Sequence, residues 1–258
     1  MEKKASISAY TAGENLFESF IIKNLNSFEE LMDIYQTYKN NNPQKTIIVT
    51  LDDLGQAEYT STHAVNSNDL EDTEGHDLSG LDAACFENGE HLGYLSTPEE
   101  FFIIKKNFLK QTENVDFAEA CDKGLTVDDQ EMEILKKINQ SPFEFLDKEI
   151  VLKIIPVTRS YEGICGFPNG YFHSDLDPFE NYALAKHLFE KYGYELFGIG
   201  ASFLGFIRSE NLEPIAVQDL SADLAQLYDA AENTFDPLVA LVQNKNHLFL
   251  KYTESLVG

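Results

Sequence analysis

The turn before one well-capped helix gathers side chains of the types that bind metals. His173, Asp175 and Asp177 are three potential ligands within five residues. Imidazole and carboxylate groups can hold a divalent metal and leave one position for water, as in a metal-dependent hydrolase. The competing interpretation assigns Asp177 to a helix cap, Asp175 to a turn and His173 to the surface or core. The spacing matches no established metal motif, so the sequence favours this second interpretation and no cofactor.

A cysteine in the preceding loop offers a different chemistry. Cys165 lies in a glycine-punctuated stretch, and His173 and His187 follow in the same part of the chain. A thiolate paired with a histidine would act as a nucleophile, and a hydrolase could instead use His173 with a carboxylate, so the catalytic candidates are Cys165, His173 and Asp175. No neighbouring feature indicates a lowered thiol pKa, so a small buried residue in a tight turn is the favoured interpretation.

Two arginines, Arg159 and Arg208, flank this loop and the helix that follows it. Arginine side chains bind carboxylates and phosphates through paired donors. The two could therefore clamp an anionic ligand over residues 163–170, with Tyr171 beside it. In a chain with so many carboxylates, each arginine is expected instead to pair with a carboxylate of the protein itself.

No motif in the sequence names a reaction. The nucleotide-binding P-loop, the zinc-protease helix, the serine nucleophile elbow and the dinucleotide-binding glycine pattern are all missing from the sequence. Residues 69–77 look superficially like a calcium loop, but they lack the EF-hand spacing and are better described as a solvated loop.

Charge is the strongest compositional signal. The formal net charge is −25, and no lysine or arginine occurs in residues 46–104. Such a chain repels nucleic-acid phosphates and anionic membranes, so neither is an expected partner. The same negative charge is compatible with a basic protein partner. Residues 55–80 lack apolar periodicity, and residues 52–80 are predicted to form a long acidic loop.

These observations lead to one main hypothesis and two alternatives. The main hypothesis is a non-enzymatic binding protein whose acidic face, residues 52–100, engages a basic protein. Inhibitors, immunity proteins and nucleic-acid mimics are of this type. The first alternative is a hydrolase-type enzyme with its site in residues 163–177. The second is a domain whose acidity serves solubility alone, and the oligomeric state is left open.

The cysteines and the N-terminal segment bear on location. Cys85, Cys121 and Cys165 are an odd number of widely spaced cysteines without a C-x-x-C pair, which is typical of a reducing cytoplasm. Residues 1–17 lack the apolar stretch of a secretion signal, and no apolar run is long enough to span a bilayer. The sequence therefore predicts a cytoplasmic protein.

The candidate residues depend on a few predicted elements. A capping box predicts a helix over residues 177–192, ended by Gly193. Alternating apolar residues then predict a hairpin over residues 194–208. Apolar runs predict buried strands at residues 46–51 and 149–158.

This mixture of elements indicates an α+β fold with a mixed or antiparallel sheet and packed helices. A Ser-Pro break near residue 141 suggests a boundary. The predicted organisation is two subdomains of similar size, residues 1–141 with the acidic loop and residues 142–258 with the capped helix and the hairpin.

Overall fold

The computed structural model describes residues 4–11 and 16–256. Helices pack on one seven-stranded mixed sheet, and a separate two-stranded hairpin lies apart from it, which confirms the predicted α+β class. The strands are β1 Ser6–Ala9, β2 Ser19–Lys23, β3 Thr46–Thr50, β4 Phe86–Glu87, β5 Glu90–His91, β6 Glu149–Ile155, β7 Glu195–Ile199, β8 Phe203–Ile207 and β9 His247–Lys251. The α-helices are α1 Phe28–Asn41, α2 Leu54–Ser67, α3 Phe101–Gln111, α4 Phe117–Asp122, α5 Asp129–Gln140, α6 Pro178–Tyr192, α7 Pro214–Leu227 and α8 Asp236–Val242.

The large sheet mixes strands from distant parts of the chain. Its order is β1-β2-β6-β3-β7-β8-β9, and each neighbouring pair is antiparallel except β3 and β7, which are parallel. β6 follows residue 141 in sequence but lies between β2 and β3, which precede that residue. One hydrophobic core also draws on both segments. The predicted boundary near residue 141 therefore does not separate two sheets.

The helix that follows the candidate loop is capped at both ends. Asp177 Oδ1 accepts hydrogen bonds from the backbone N–H groups of Phe179 and Glu180, each at 2.8 Å. The Glu180 carboxylate accepts one from the Asp177 N–H at 2.7 Å, which completes the capping box. Gly193 ends α6 with a φ of 72°. The hairpin of β7 and β8 comes directly after it.

The predicted loop over residues 52–80 is wrong in its first part, because α2 occupies Leu54–Ser67. The buried face of this helix has helical spacing but consists of small or polar residues: Ala57, Thr60, Ser61 and Ala64. The prediction took the lack of large apolar residues at helical spacing as evidence against a helix, but a helix with such a face does not need them. Residues 68–80 form turns without a helix or strand, as predicted.

Two expectations concern membranes and export. Within residues 4–11 and 16–256, no helix combines the length and the apolar character needed to cross a bilayer. The segment considered for a secretion signal includes residues 1–3 and 12–15, which lie outside the described residues. The absence of a signal therefore stays a prediction.

Candidate functional site

The loop that carries the sequence-predicted site residues lies directly on the sheet. Ser160–Gly166 forms a short 3-10 helix after β6. A Cβ on Gly166 would lie 2.7 Å from the Ile155 side chain of β6. A Cβ on Gly170, whose φ is 105°, would lie 1.9 Å from the carbonyl oxygen of Leu176. Glycine at these two positions is what permits the close approach.

Different side chains of this loop line two separate cavities. The first cavity, of about 550 Å³, is lined by Cys165, and the second, of about 520 Å³, is lined by His173. Cys165 is buried, and this burial raises the pKa of its thiol to about 12. The thiol is therefore protonated near neutral pH. The structure does not bring the candidate nucleophile and the candidate base together.

His187, the other histidine considered for the thiol, contacts different residues. Its Nε2 lies 2.6 Å from Asp223 Oδ2, and its ring stacks on Phe117 with 3.9 Å between the ring centres. These contacts join α6 to α7 and α4. His187 therefore has a packing role between helices that the sequence did not reveal.

The three candidate metal ligands are engaged separately. Asp175 is buried, and its Oδ1 accepts a hydrogen bond from the Glu254 N–H at 2.8 Å. Asp177 caps α6, and His173 is exposed. Among the residues that the structure describes, no three His, Cys, Asp or Glu side chains lie close enough together to hold a metal ion. The interpretation as a turn and a cap accounts for both aspartates.

Neither arginine makes the contact expected of it. Arg159 Nη1 donates a hydrogen bond to the Tyr161 hydroxyl at 2.5 Å. Arg208 Nη2 donates one to the Asn211 carbonyl at 2.9 Å. In the described parts of the chain neither forms an ion pair with a carboxylate, and neither lines the two cavities. Within the described residues, the expected carboxylate pairing is therefore not formed at either arginine, and the anion clamp over residues 163–170 stays a prediction.

Tyr171 belongs to an exposed aromatic group, which we define as Tyr59, His63, Tyr171 and Phe172. The rings of Tyr171 and His63 stack with 4.8 Å between their centres, and Tyr59 meets His63 at 4.3 Å. Phe172 lies 5.5 Å from Tyr171. Tyr59, Tyr171 and Phe172 are 51%, 41% and 46% exposed. Because Tyr59 and His63 lie on α2, the group connects the candidate loop to the acidic part of the chain.

The acidic segment, residues 52–100, carries many carboxylates at the protein surface. Nine of them are exposed: Asp53, Asp69, Asp72, Glu74, Asp77, Asp82, Glu87, Glu90 and Glu99. Within residues 4–11 and 16–256, none of the nine forms an ion pair with a lysine or arginine. Lysines pair instead with carboxylates elsewhere, as Lys23 does with Glu149.

Hydrogen bonds from α3 hold part of the acidic segment in place. Asn107 Nδ2 donates to the carbonyl oxygens of Leu70 and Asp72 at 3.0 and 2.8 Å. The Asn107 amide oxygen lies 2.8 Å from His76 Nε2. Gln111, one turn further along α3, donates to the Asn68 carbonyl at 2.9 Å. Residues 68–76 are thus attached to a helix although they contain no helix or strand.

A buried carboxylate anchors the end of the acidic segment. Glu100 is fully buried, and it accepts hydrogen bonds from the N–H groups of Ser96 and Thr97, each at 2.8 Å. His91 Nε2 lies 2.7 Å from Glu100 Oε1. Burial alone would raise the pKa of Glu100, but these hydrogen bonds outweigh it and lower the pKa below its ordinary value.

The first cavity also contains a lysine that the sequence analysis missed. Lys153 lies in β6 and is 8% exposed. Burial lowers the pKa of its ammonium group to about 8. The signal in the sequence is a lysine inside the otherwise apolar residues 150–155 of that strand. That pattern alone does not show whether the lysine faces water or the interior.

Comparisons with known protein families, with curated proteins and with solved structures found no match to this chain. The function is therefore inferred from the chain's own residues. Two features carry most information: the acidic segment with its unneutralised carboxylates, and the cavity that contains Lys153.

Proposed function

We propose that this protein binds a basic protein partner through its acidic segment. The observation that carries the proposal is the set of nine exposed carboxylates without lysine or arginine partners in the described residues. Unneutralised carboxylates on one stretch of chain create a negative potential that attracts a cationic surface and accelerates its association. An inhibitor, an immunity protein or a nucleic-acid mimic would use this property.

Two further features favour a specific interface over a diffuse charge effect. Asn107 fixes the backbone at Leu70 and Asp72, so the carboxylates of this region need little ordering when a partner binds. The aromatic group supplies exposed rings beside the charges. Tyrosine is enriched among the residues that dominate interface energies. Electrostatic attraction would set the rate of encounter, and the rings would add apolar contact.

The hydrolase alternative at residues 163–177 has less support. Cys165 and His173 line different cavities, and burial keeps the Cys165 thiol protonated near neutral pH. The solubility alternative differs from our proposal in a measurable way. If charge served solubility alone, the position of the carboxylates would not matter to binding.

The experiment compares two quadruple variants with the same change in net charge. The acidic-segment variant carries Glu74→Gln, Glu87→Gln, Glu90→Gln and Glu99→Gln. The control variant carries Glu190→Gln, Glu210→Gln, Glu213→Gln and Glu232→Gln. All eight glutamates are exposed. Wild type and both variants are used to capture proteins from a cell lysate at about 0.05 M and about 0.5 M salt. Each captured protein is then purified, and its binding to wild type and to both variants is measured.

We expect wild type and the control variant to retain the same basic protein at low salt. The acidic-segment variant should bind it at least about tenfold more weakly, and high salt should release it from all three. Equal binding by the two variants would contradict the proposal. Recovery that does not depend on salt, or the absence of any basic partner, would also contradict it.

A further inference from the structure

The first cavity has the size and character of a small-molecule site, and part of its wall comes from buried or half-buried residues of the acidic segment. Its volume of about 550 Å³ lies within the range of ligand pockets in proteins. Residues of α2, α3, β6 and the loop 165–168 line it. Its walls combine apolar side chains with a few polar groups, which is the usual composition of a ligand site.

Lys153 is the polar group at the sheet side of this cavity, and it lacks an acceptor. Within the described residues its ammonium makes no hydrogen bond or ion pair, but it lies over two aromatic rings. Nζ lies 4.9 Å from the ring centre of Phe167 and 5.9 Å from that of Phe17. Aromatic faces stabilise an ammonium in part, but they leave its N–H donors unsatisfied.

Burial of Lys153 is only partly offset by the nearby carboxylate of Glu58. Glu58 raises the pKa of Lys153, but burial, the larger effect, lowers it to about 8. The Glu58 carboxylate instead accepts hydrogen bonds from the Tyr10 hydroxyl at 2.9 and 3.0 Å. Glu71 and the protonated Cys165 thiol also line the cavity. The lysine is mostly charged near neutral pH and faces space that a ligand can enter.

We propose that this cavity binds a small organic monocarboxylate, whose carboxylate pairs with the Lys153 ammonium and whose apolar body lies against the cavity wall. That wall includes Leu16, Val65, Leu95 and Ile104. The hydroxyl of Ser61, which also lines the cavity, makes no hydrogen bond within the described residues and supplies a second donor.

The carboxylate of Glu58 restricts the ligand to one negative charge. Glu58 lines the same space as Lys153. A phosphate or a dicarboxylate would bring a second negative charge close to this carboxylate, and like charges in a partly desolvated site repel strongly. A monocarboxylate with an apolar body satisfies Lys153 without this repulsion.

The test uses 4-phenylbutyrate as the probe and its neutral amide, 4-phenylbutanamide, as the matched control. Calorimetric titrations of the full chain are made on wild type, Lys153→Met and Lys106→Met. Lys106 is an exposed lysine of α3 that does not line the cavity, so its replacement removes the same charge elsewhere. Wild type is also titrated at about pH 10, where Lys153 is deprotonated.

Wild type and Lys106→Met are expected to bind the acid at least about tenfold more tightly than the amide near neutral pH. Lys153→Met should bind the two probes equally, and alkaline pH should remove the preference in wild type without any substitution. Equal affinities in wild type would overturn the proposal. A preference retained in Lys153→Met or at high pH, or no binding of the acid up to about 10 mM, would also overturn it.

Discussion

Lys251 places its ammonium nitrogen 2.8 Å from both carboxylate oxygens of Glu131. It is fully buried and also donates to the Glu254 carbonyl at 3.0 Å. This lysine therefore has the partners that a buried charge requires. Lys153 is buried as well, but in the described residues it has no such partner. The contrast separates a lysine that stabilises the fold from one that is available to a ligand.

The first prediction compares Lys251→Met with Lys153→Met by chemical denaturation near neutral pH. Lys251→Met should lower the free energy of unfolding by about 3–5 kcal/mol, because it leaves the Glu131 carboxylate without its partner. Lys153→Met should change that free energy by less than about 1 kcal/mol or raise it, because it removes an unpaired buried charge. Equal losses in the two variants would contradict this account.

The second prediction concerns the buried carboxylate of Glu100. Glu100→Gln should lower the free energy of unfolding by about 2–4 kcal/mol near neutral pH, since the amide cannot accept all of the hydrogen bonds of the carboxylate. Glu99→Gln, at an exposed neighbouring position, should change it by less than about 0.5 kcal/mol.

The effect of Glu100→Gln should also depend on pH. The folded-state pKa of Glu100 lies below its ordinary value of 4.5. The carboxylate therefore stabilises the fold fully above pH 4.5, and this contribution is lost as the pH falls through the folded-state pKa. Denaturation series at decreasing pH should show wild type approaching Glu100→Gln. A gap that stays constant with pH would argue against this role.

The third prediction tests the contacts between α6 and α7. Asp223 lies 2.6 Å from His187 Nε2, 2.8 Å from Lys191 Nζ and 2.6 Å from the Tyr192 hydroxyl. Burial alone would raise its pKa, but these hydrogen bonds lower the pKa to about 2. Asp223→Asn should cost about 1–2 kcal/mol of unfolding free energy near neutral pH.

That loss should shrink as the pH is lowered from 3.8 through about 2, because wild-type Asp223 becomes protonated in the folded state over this range. Thermal unfolding over this range measures it, with Asp219→Asn of α7 as an exposed control. A loss of the same size at pH 2 would show that the charge of Asp223 is not its source.

The fourth prediction concerns Gly170, which lies in sequence between residues that line the first cavity and residues that line the second. Gly170 and Gly193 both have positive φ, but only a Cβ on Gly170 would meet a backbone oxygen, that of Leu176 at 1.9 Å. Gly193→Ala should cost about 1 kcal/mol of unfolding free energy from backbone strain. Gly170→Ala should cost at least about 1 kcal/mol more, as measured by chemical denaturation. Equal costs would show that the loop can move away.

Local signals in the sequence predicted the elements around the candidate loop. Asp177, Pro178 and Gly193 act within one or two turns of chain, so the bounds of α6 follow from them. The strands β3 and β6 are apolar enough to be recognised without knowing their neighbours. Their positions in one sheet were not predictable, because no local sequence pattern shows which distant strands pair with each other.

The missed features depend on packing between distant residues. Ala57 and Ala64 are buried on α2 because the helix lies close to the sheet, and small residues give no strong periodic signal. Whether Lys153 faces a cavity depends on α2 and on the loop 165–168 together. Cys165 and His173 are close in sequence but line different cavities, which no local pattern in the sequence reveals.

The fifth prediction and most direct test of the account is the rate constant for association with the captured basic partner, measured by stopped flow at increasing salt. For wild type and the control variant, it should fall at least about tenfold between about 0.05 M and about 0.5 M salt. The acidic-segment variant should associate about tenfold more slowly at low salt and respond less to salt. Identical rates for the two variants, or rates that salt does not change, would contradict a partner interface at residues 52–100.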